Sequence, residues 1–316
     1  MLKYTLRKLG ALIPKMLIIS LILFLGLEAL PGDPITRSVP VEVLEEMTEA
    51  QIEALRENAG LNDPVMVRYF KWLGGLLTGD FGYSQVSGQN ISEVLATRMP
   101  YTMELCIYGL TFATIFGILF GFIAAVMKRT PVDYAINTFS VLGVSVPEFF
   151  VAICLVVVFA LKLGWLPTGG RMDPDGGSRI PYMILPIASM AIQYSSTLVR
   201  YVRNTMLEVM DKEYIKTARS KGLREVVVYL KHAFRNAMIP VMITIVMRLP
   251  MLIGGFVVIE QVFNYAGVGV VQLEAINQGD LPVAMIILML SGMLTMVAST
   301  LADLFTALLD PRVRLE

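Results

Sequence analysis

A charged stretch, EYIKTARSKGL at residues 213–223, lies between two runs that are apolar enough to cross a membrane. Helix-forming residues continue from Met206 to Arg219, and Gly222 then breaks the pattern. Glycine permits either a turn with positive φ or a close backbone approach. We therefore expect a short helix, a sharp bend and a second helix that enters the membrane. Such a segment is suited to docking of another protein, and the alternative is a solvated basic loop that only fixes topology.

The chain is too apolar for an ordinary soluble domain. Of its 316 residues 55% are apolar and only 16% are charged, and the mean hydropathy is +0.66. The 26 basic residues balance the 26 acidic ones, so the charge gives no reason to expect a nucleic-acid partner. A helix needs about 20 mostly apolar residues to cross a bilayer. The sequence therefore predicts an all-α polytopic membrane protein, with six spans near residues 9–30, 101–127, 134–163, 183–203, 238–263 and 281–306.

Basic residues near the ends of spans indicate which side of the membrane is cytoplasmic. Lys3, Arg7 and Lys8 place the N-terminus in the cytoplasm. Residues 200–238 hold nine basic and four acidic residues, whereas residues 31–98 hold five basic and ten acidic ones. Alternation along six spans then places both termini on the cytoplasmic side. The first apolar run is longer than the usual ~7–15-residue signal-peptide core, so we expect it to be retained.

The external segment is expected to contain two surface helices. Residues 41–58 carry apolar side chains at near-helical spacing, which predicts an amphipathic helix. Residues 65–77 predict a second helix, whose aromatic side chains favour the membrane interface over a ligand platform. The predicted organisation is a first span (1–30), an external segment (31–98), a five-helix core (99–306) with a cytoplasmic loop (204–238), and a tail (307–316).

Few residues suggest catalytic chemistry. Cys106 and Cys154 lie inside predicted spans without metal-ligand spacing, and His232 is the only histidine. No Gly-Lys pair occurs, so the chain has no phosphate-binding loop of the Walker type. An intramembrane enzyme would need a nucleophile with a base, or metal ligands, within the spans. We therefore expect a non-catalytic subunit, and any ATP that drives transport must bind to another subunit.

Two ionisable residues are predicted near the middle of spans, and a third lies nearer an external end. Glu148 follows Pro147 in the third predicted span, and Arg248 precedes Pro250 in the fifth. A charge at a helix centre costs about 2.5–3.5 kcal/mol on insertion scales, so both side chains should face the protein or a wet cavity. Glu148, Arg248 and Glu260 are therefore candidates for the translocation path. An internal ion pair or contacts with a partner subunit are the alternatives, and Glu260 could also contact an external protein, gate the external mouth or remain solvated.

The loop resembles the cytoplasmic signature of ABC-type importer permeases, in which Glu-Ala-Ala is followed three residues later by Gly. Lys216-Thr217-Ala218 and Gly222 occupy these positions, and the wider match is to the dipeptide and oligopeptide branch, first-permease type. Lys216 and Thr217 stand where the generic signature has Glu-Ala. In this replacement the sequence is similar to the peptide branch of the family. Further similar stretches are Pro31-Gly32-Asp33-Pro34, Gly79-Asp80-Phe81-Gly82-Tyr83-Ser84, Ser145-Val146-Pro147, His232-Ala233-Phe234-Arg235-Asn236 and Asp310-Pro311-Arg312.

The resemblance implies a type I importer permease in the cytoplasmic membrane of a bacterium or archaeon. Its partners would be a homologous second permease, two cytoplasmic ATPases that bind ATP and Mg, and an external solute-binding protein. The cargo would be a peptide, with nickel complexes, glutathione and oligosaccharides as alternatives. An ion-coupled secondary transporter is a less favoured reading, because it leaves the charged loop unexplained. The residues expected to couple to the ATPase are Glu213, Lys216, Thr217, Ala218, Arg219, Lys221, Gly222 and Arg224.

Overall fold

The computed structural model describes residues 2–29, 47–58, 60–171, 177–248 and 257–309, and regular structure within these ranges is helical. A single bridge between Tyr83 and Asn90 is the extended pairing found there. The predicted surface helix at 41–58 is described only from residue 47 onward. The helices are α1 (Leu2–Glu28), α2 (Glu49–Asn58), α3 (Val65–Thr78), α4 (Ile91–Val126), α5 (Pro131–Ser145), α6 (Glu148–Lys162), α7 (Ile180–Met210), α8 (Glu213–Ser220), α9 (Glu225–Val246), α10 (Val257–Val262), α11 (Val268–Gln278) and α12 (Leu281–Leu309).

Four of these helices, α4, α7, α9 and α12, are long and apolar enough to cross a membrane. The pair α5 and α6 together makes a fifth candidate. In α1 the apolar segment Gly10–Gly26 is shorter, so the count of six spans stays a prediction. The predicted span at 238–263 includes residues 249–256, which lie outside the described ranges.

The span predicted at 134–163 is interrupted, because α5 and α6 are bent by 108° relative to each other. Val146 ends α5 with an extended backbone, φ −90° and ψ 129°, and Pro147 stands before α6. Proline has no N–H to donate, and it disfavours the helical conformation of the preceding residue. The bend is therefore located by Pro147.

Glycines allow α4 and α7 to pack closely. A methyl group on Gly117 would lie 2.7 Å from Cβ of Leu198. A methyl on Gly121 would lie 2.8 Å from the carbonyl oxygen of Val199. Apolar contact alone drives helix association weakly in a bilayer, so small residues that permit close backbone approach are favoured at such interfaces. The α4–α7 pair forms the centre around which the other helices pack.

Three apolar clusters position the functional regions. One joins α4, α6, α7 and α10 and includes Leu105, Met190 and Tyr265. A second joins α7, α8 and α9, and a third joins α4, α11 and α12. Helix α7, which leads to the charged loop, thus packs against α6 of the bent pair as well as against α8 and α9.

Helix α3 matches the second predicted surface helix and packs against α1. The hydroxyl groups of Tyr69 and Ser20 lie 2.9 Å apart, and the ring centroids of Phe24 and Trp72 are 5.5 Å apart. Tyr69 is therefore buried, whereas Phe70 is exposed. Of the predicted aromatic anchors, only Phe70 is free to lie against lipid over most of its surface.

We expect Gly121→Ala to lower the free energy of unfolding by about 1–3 kcal/mol, because the added methyl overpacks the α4–α7 contact. Gly292→Ala is the matched control, since a methyl there meets nothing within 4 Å. Thermal unfolding of the detergent-solubilised chain checks both. Equal melting temperatures for the two variants would contradict the close α4–α7 contact.

Candidate functional site

The charged loop forms a helix, a bend and a second helix, as the sequence predicts. Helix α8 follows α7 after two residues and ends at Ser220. Gly222 then takes φ +75°, a conformation that glycine adopts at little cost. Its N–H donates to the Arg219 carbonyl oxygen at 2.9 Å, and α9 begins at Glu225. The bend thus turns the chain from α8 directly into a membrane-spanning helix.

The inner face of α8 is held by the chain itself. Ile215 is fully buried and Ala218 is 6% exposed, and both belong to the cluster that joins α7, α8 and α9. Met206 of α7 and Val228 of α9 are fully buried in the same cluster. Ala218, expected from the sequence to contact an ATPase, therefore contacts this chain's own helices. Its small side chain lets α8 lie close to them.

The outer face of α8 and the bend present charges to solvent. Glu213 Oε1 lies 2.7 Å from Lys216 Nζ, and this hydrogen bond raises the pKa of Lys216. Arg219 donates to both Glu225 oxygens, at 3.0 and 3.3 Å. These pairs are exposed, so they contribute little to stability. Lys221, Gly222, Arg224 and Thr217 are exposed as well.

Glu148 and Arg248 both lie beside Tyr194 of α7, but they do not pair with each other. Arg248 Nη1 donates to the Tyr194 carbonyl oxygen at 2.8 Å. Among the described residues no ion pair joins Glu148 to Arg248, and no donor reaches the buried Oε1 of Glu148. A buried carboxylate oxygen without a partner is costly, so its retention calls for a functional explanation.

The break between α5 and α6 is bonded to α7 next to Glu148. When the Gln193 amide is oriented to satisfy its surroundings, its nitrogen donates to the carbonyl oxygens of Gly143, at 2.6 Å, and Val146, at 3.2 Å. These carbonyls lose their helical partners at the bend, so Gln193 satisfies them. Glu148 therefore stands at a fixed break in the membrane-embedded part of the chain.

Glu260 is buried in the interior of this chain. It is fully buried and accepts hydrogen bonds from the Thr102 hydroxyl and from the backbone N–H groups of Gly269, at 2.8 Å, and Val270, at 3.3 Å. The first N–H groups of a helix have no partner within it, and a carboxylate binds them well. Glu260 thus joins α10 to the start of α11 and to α4. A role of Glu260 in the translocation path stays a prediction.

A buried ion pair on the α8 side of the bundle was not predicted from the sequence. Arg203 of α7 donates from Nε and Nη2 to the two oxygens of Asp133, at 2.7 and 2.8 Å. Asp133 is 2% exposed and also accepts from the backbone N–H of Arg129 at 2.9 Å. A local signal was present, because Thr130, Pro131 and Asp133 form a typical helix start. That local pattern could not reveal the partner Arg203, which lies on α7, 70 positions later in the sequence.

Metal ligation has no support in the described ranges, where no three His, Cys, Asp or Glu side chains are grouped so as to hold an ion. The loop presents exposed charged side chains, and Glu148 places a carboxyl oxygen without a described partner inside the bundle.

Comparison with known proteins identifies the family. The model of the binding-protein-dependent transport system inner membrane component matches residues 117–315, and the model of its N-terminal part matches residues 1–106. The oligopeptide transport system permease protein AppB of Bacillus subtilis (strain 168) is 36% identical over 315 residues, 98% of each chain. The chain belongs to this permease family.

A second relative of the permease is the glutathione transport system permease protein GsiC of Salmonella paratyphi A, 34% identical over 315 residues and 99% of each chain. Two solved structures share the fold at 16% identity. They are the MetNI methionine ABC transporter in inward-facing conformations, with a TM-score of 0.56 over 69% of this chain and 96% of that one, and an amino acid ABC transporter, with a TM-score of 0.54 over 68% and 94%. The permease is a multi-pass protein of the cell membrane with an ABC-permease fold.

We expect Gly267→Ala to destabilise the permease, because the added methyl would overlap the Glu260 carboxylate. Glu260→Ala alone should also destabilise it, by about 1–3 kcal/mol for each donor left unpaired. The double variant should lose less than the sum of the two, since the deleted carboxylate makes room for the methyl. Thermal unfolding of all three variants checks this, and strictly additive losses would contradict the proposed contact.

Proposed function

We propose that this permease imports peptides in an ABC transporter whose other parts are a second permease, two cytoplasmic ATPases that bind ATP and Mg, and an external solute-binding protein. The observation that carries the coupling part is α8, which is charged on its outer face and buried on its inner face. The cargo follows from the relatives, of which one is named for oligopeptides and another for glutathione, itself a short peptide. In this proposal the chain catalyses no reaction.

Movement of the ATPases reaches the membrane through α8. An ATPase that grips the outer face in one state and releases or rotates it in another shifts the equilibrium between permease conformations, because its interaction with them differs. Ile215 and Ala218 tie α8 to α7 and α9, so a displacement of α8 moves both helices as rigid bodies. Arg203 then passes the displacement from α7 to Asp133 at the start of α5. The chain of contacts ends at the break beside Glu148.

Glu148 and Arg248 are the proposed contacts for the charged termini of the peptide. Glu148 Oε1 is buried and accepts no hydrogen bond from the described residues, so it could accept one from a substrate ammonium group. Arg248 uses Nη1 for the Tyr194 carbonyl, and a guanidinium carries five N–H donors in all. In this proposal the buried Glu148 carboxylate becomes accessible to the peptide when the permease changes conformation.

The transport reading is tested with the permease assembled with its partners in proteoliposomes. Peptide uptake should require ATP and the loaded binding protein. Lys216→Glu combined with Lys221→Glu should reduce uptake and ATPase attachment together, because both side chains are exposed and α8 remains folded. Lys162→Glu, an exposed basic residue at the end of α6, is the matched control and should leave both unchanged. Uptake by the chain alone, driven by an ion gradient, would overturn the proposal.

The role of Glu148 is tested by comparing the uptake of peptides that have a free amino terminus with that of N-acetylated peptides. Glu148→Gln should lower uptake of peptides with a free amino terminus about tenfold or more, since a charge-assisted hydrogen bond contributes about 1.5–3 kcal/mol. Uptake of N-acetylated peptides should change little, and Glu208→Gln on the exposed face of α7 is the control. If Glu148→Arg and Arg248→Glu each fail but restore uptake when combined, the two residues form an internal pair instead.

A further inference from the structure

A groove lies between α4 and α7 on the end of the bundle remote from α8. It encloses a cavity of about 600 Å³. Tyr108, Phe112 and Phe116 of α4, each at one-turn spacing, form one wall, and Ile184 and Ala188 of α7 lie opposite. The three aromatic side chains are about two-fifths exposed. A molecule that covers them would remove a continuous aromatic surface from its surroundings.

The rim of the groove is charged. Arg179 immediately precedes α7, and its Nη2 lies 3.3 Å from Glu104 Oε1 at the start of the aromatic wall. The Arg179 side chain is 51% exposed, whereas that of Glu104 is 15% exposed. Since Arg179 carries five N–H donors, most remain available to an acceptor above the rim. The Tyr265 hydroxyl donates to the other Glu104 oxygen at 3.4 Å, which holds the carboxylate in place.

The depth of the groove matches one leaflet of a bilayer. Twelve residues separate Arg179 from Ala191, the deepest lining residue on α7, which corresponds to about 18 Å along a helix. Half of the hydrocarbon core is about 15 Å thick. Below Tyr108 the lining is apolar. A second apolar cavity of about 410 Å³ shares Phe116, Ala188 and Ala191 with the first and continues the groove inward.

We propose that this groove binds a phospholipid with a zwitterionic amine headgroup, of the phosphatidylethanolamine type. The phosphate accepts from Arg179, the ammonium lies toward Glu104, and one acyl chain extends along Phe112 and Phe116. A guanidinium is well matched to phosphate, and the adjacent carboxylate disfavours a headgroup that carries only negative charge. The site concerns the membrane around the permease and does not depend on which cargo it carries.

A peptide fits the same groove poorly, although its termini carry the same two charges. Each peptide bond brings an N–H and a C=O that need partners in an apolar setting. The lining below Tyr108 supplies none, whereas an acyl chain needs none. A charged rim above an apolar lining therefore matches the headgroup and acyl chain of a lipid better than it matches a peptide.

Lipid titration of the purified full chain tests this, with bound lipid counted by native mass spectrometry. Phosphatidylethanolamine should bind at one site with higher affinity than phosphatidylglycerol. Arg179→Gln should weaken phosphatidylethanolamine binding about tenfold, the usual effect of losing one charge-assisted hydrogen bond. Glu104→Gln should abolish the preference over phosphatidylglycerol. Lys162→Gln, also exposed and basic but away from the groove, should bind like the parent chain.

Ala188→Leu provides a second variant that fills the groove without altering its charges. It should reduce the binding of both lipids while the melting temperature in detergent stays near that of the parent. Unchanged phosphatidylethanolamine binding in both Arg179→Gln and Ala188→Leu would overturn the proposal. Displacement of the bound lipid by a short zwitterionic peptide would also overturn it, because the groove would then belong to cargo.

Discussion

Ile215 and Ala218 attach α8 to the membrane-spanning helices, and the proposed coupling depends on that attachment. A helix of eight residues is not stable alone in water, because nucleation is costly and few hydrogen bonds follow. Its stability must come from tertiary packing, which the cluster shared with α7 and α9 supplies. The same packing leaves the charged face available to a partner. Helix α8 is thereby held against the membrane-spanning helices, and its charged face is exposed on the side that the charge distribution assigns to the cytoplasm.

Several polar groups inside the bundle are held by partners on other helices, whereas Glu148 Oε1 is not. Glu260 is satisfied by Thr102 and the start of α11, Asp133 by Arg203 and Arg129, and the carbonyls at the α5–α6 break by Gln193. Each of these groups fixes two helices relative to each other, since removal of either partner would leave a buried polar group unpaired. Oε1 of Glu148 differs, because it has no hydrogen-bond partner among the residues that the structure describes. That difference is the reason for proposing Glu148 as a contact for cargo and for assigning the other groups a structural role.

Sequence patterns predicted what depends on local chemistry. Gly222 and the surrounding charges were sufficient for a helix, a bend and a second helix, and hydropathy was sufficient for the long helices. The 108° break was not anticipated, although Pro147 stood in the pattern, because proline in a membrane helix is compatible with a kink or a full interruption. The inward direction of Ala218 was readable in retrospect, since it lies three residues after Ile215 on the same face. The role of Glu260 was not, because its partner Thr102 is 158 positions away in the sequence.

A photo-crosslinking side chain at Thr217, in the assembled transporter, tests most directly whether α8 is the point at which an ATPase grips the permease. Thr217 is exposed on α8, so the probe reaches outward without disturbing Ile215 or Ala218. The expected result is an adduct with an ATPase subunit whose yield changes when ATP is added, and no such adduct from the same probe at Lys162. Absence of an ATPase adduct from Thr217, in a complex that still hydrolyses ATP and transports its cargo, would contradict the role assigned to α8.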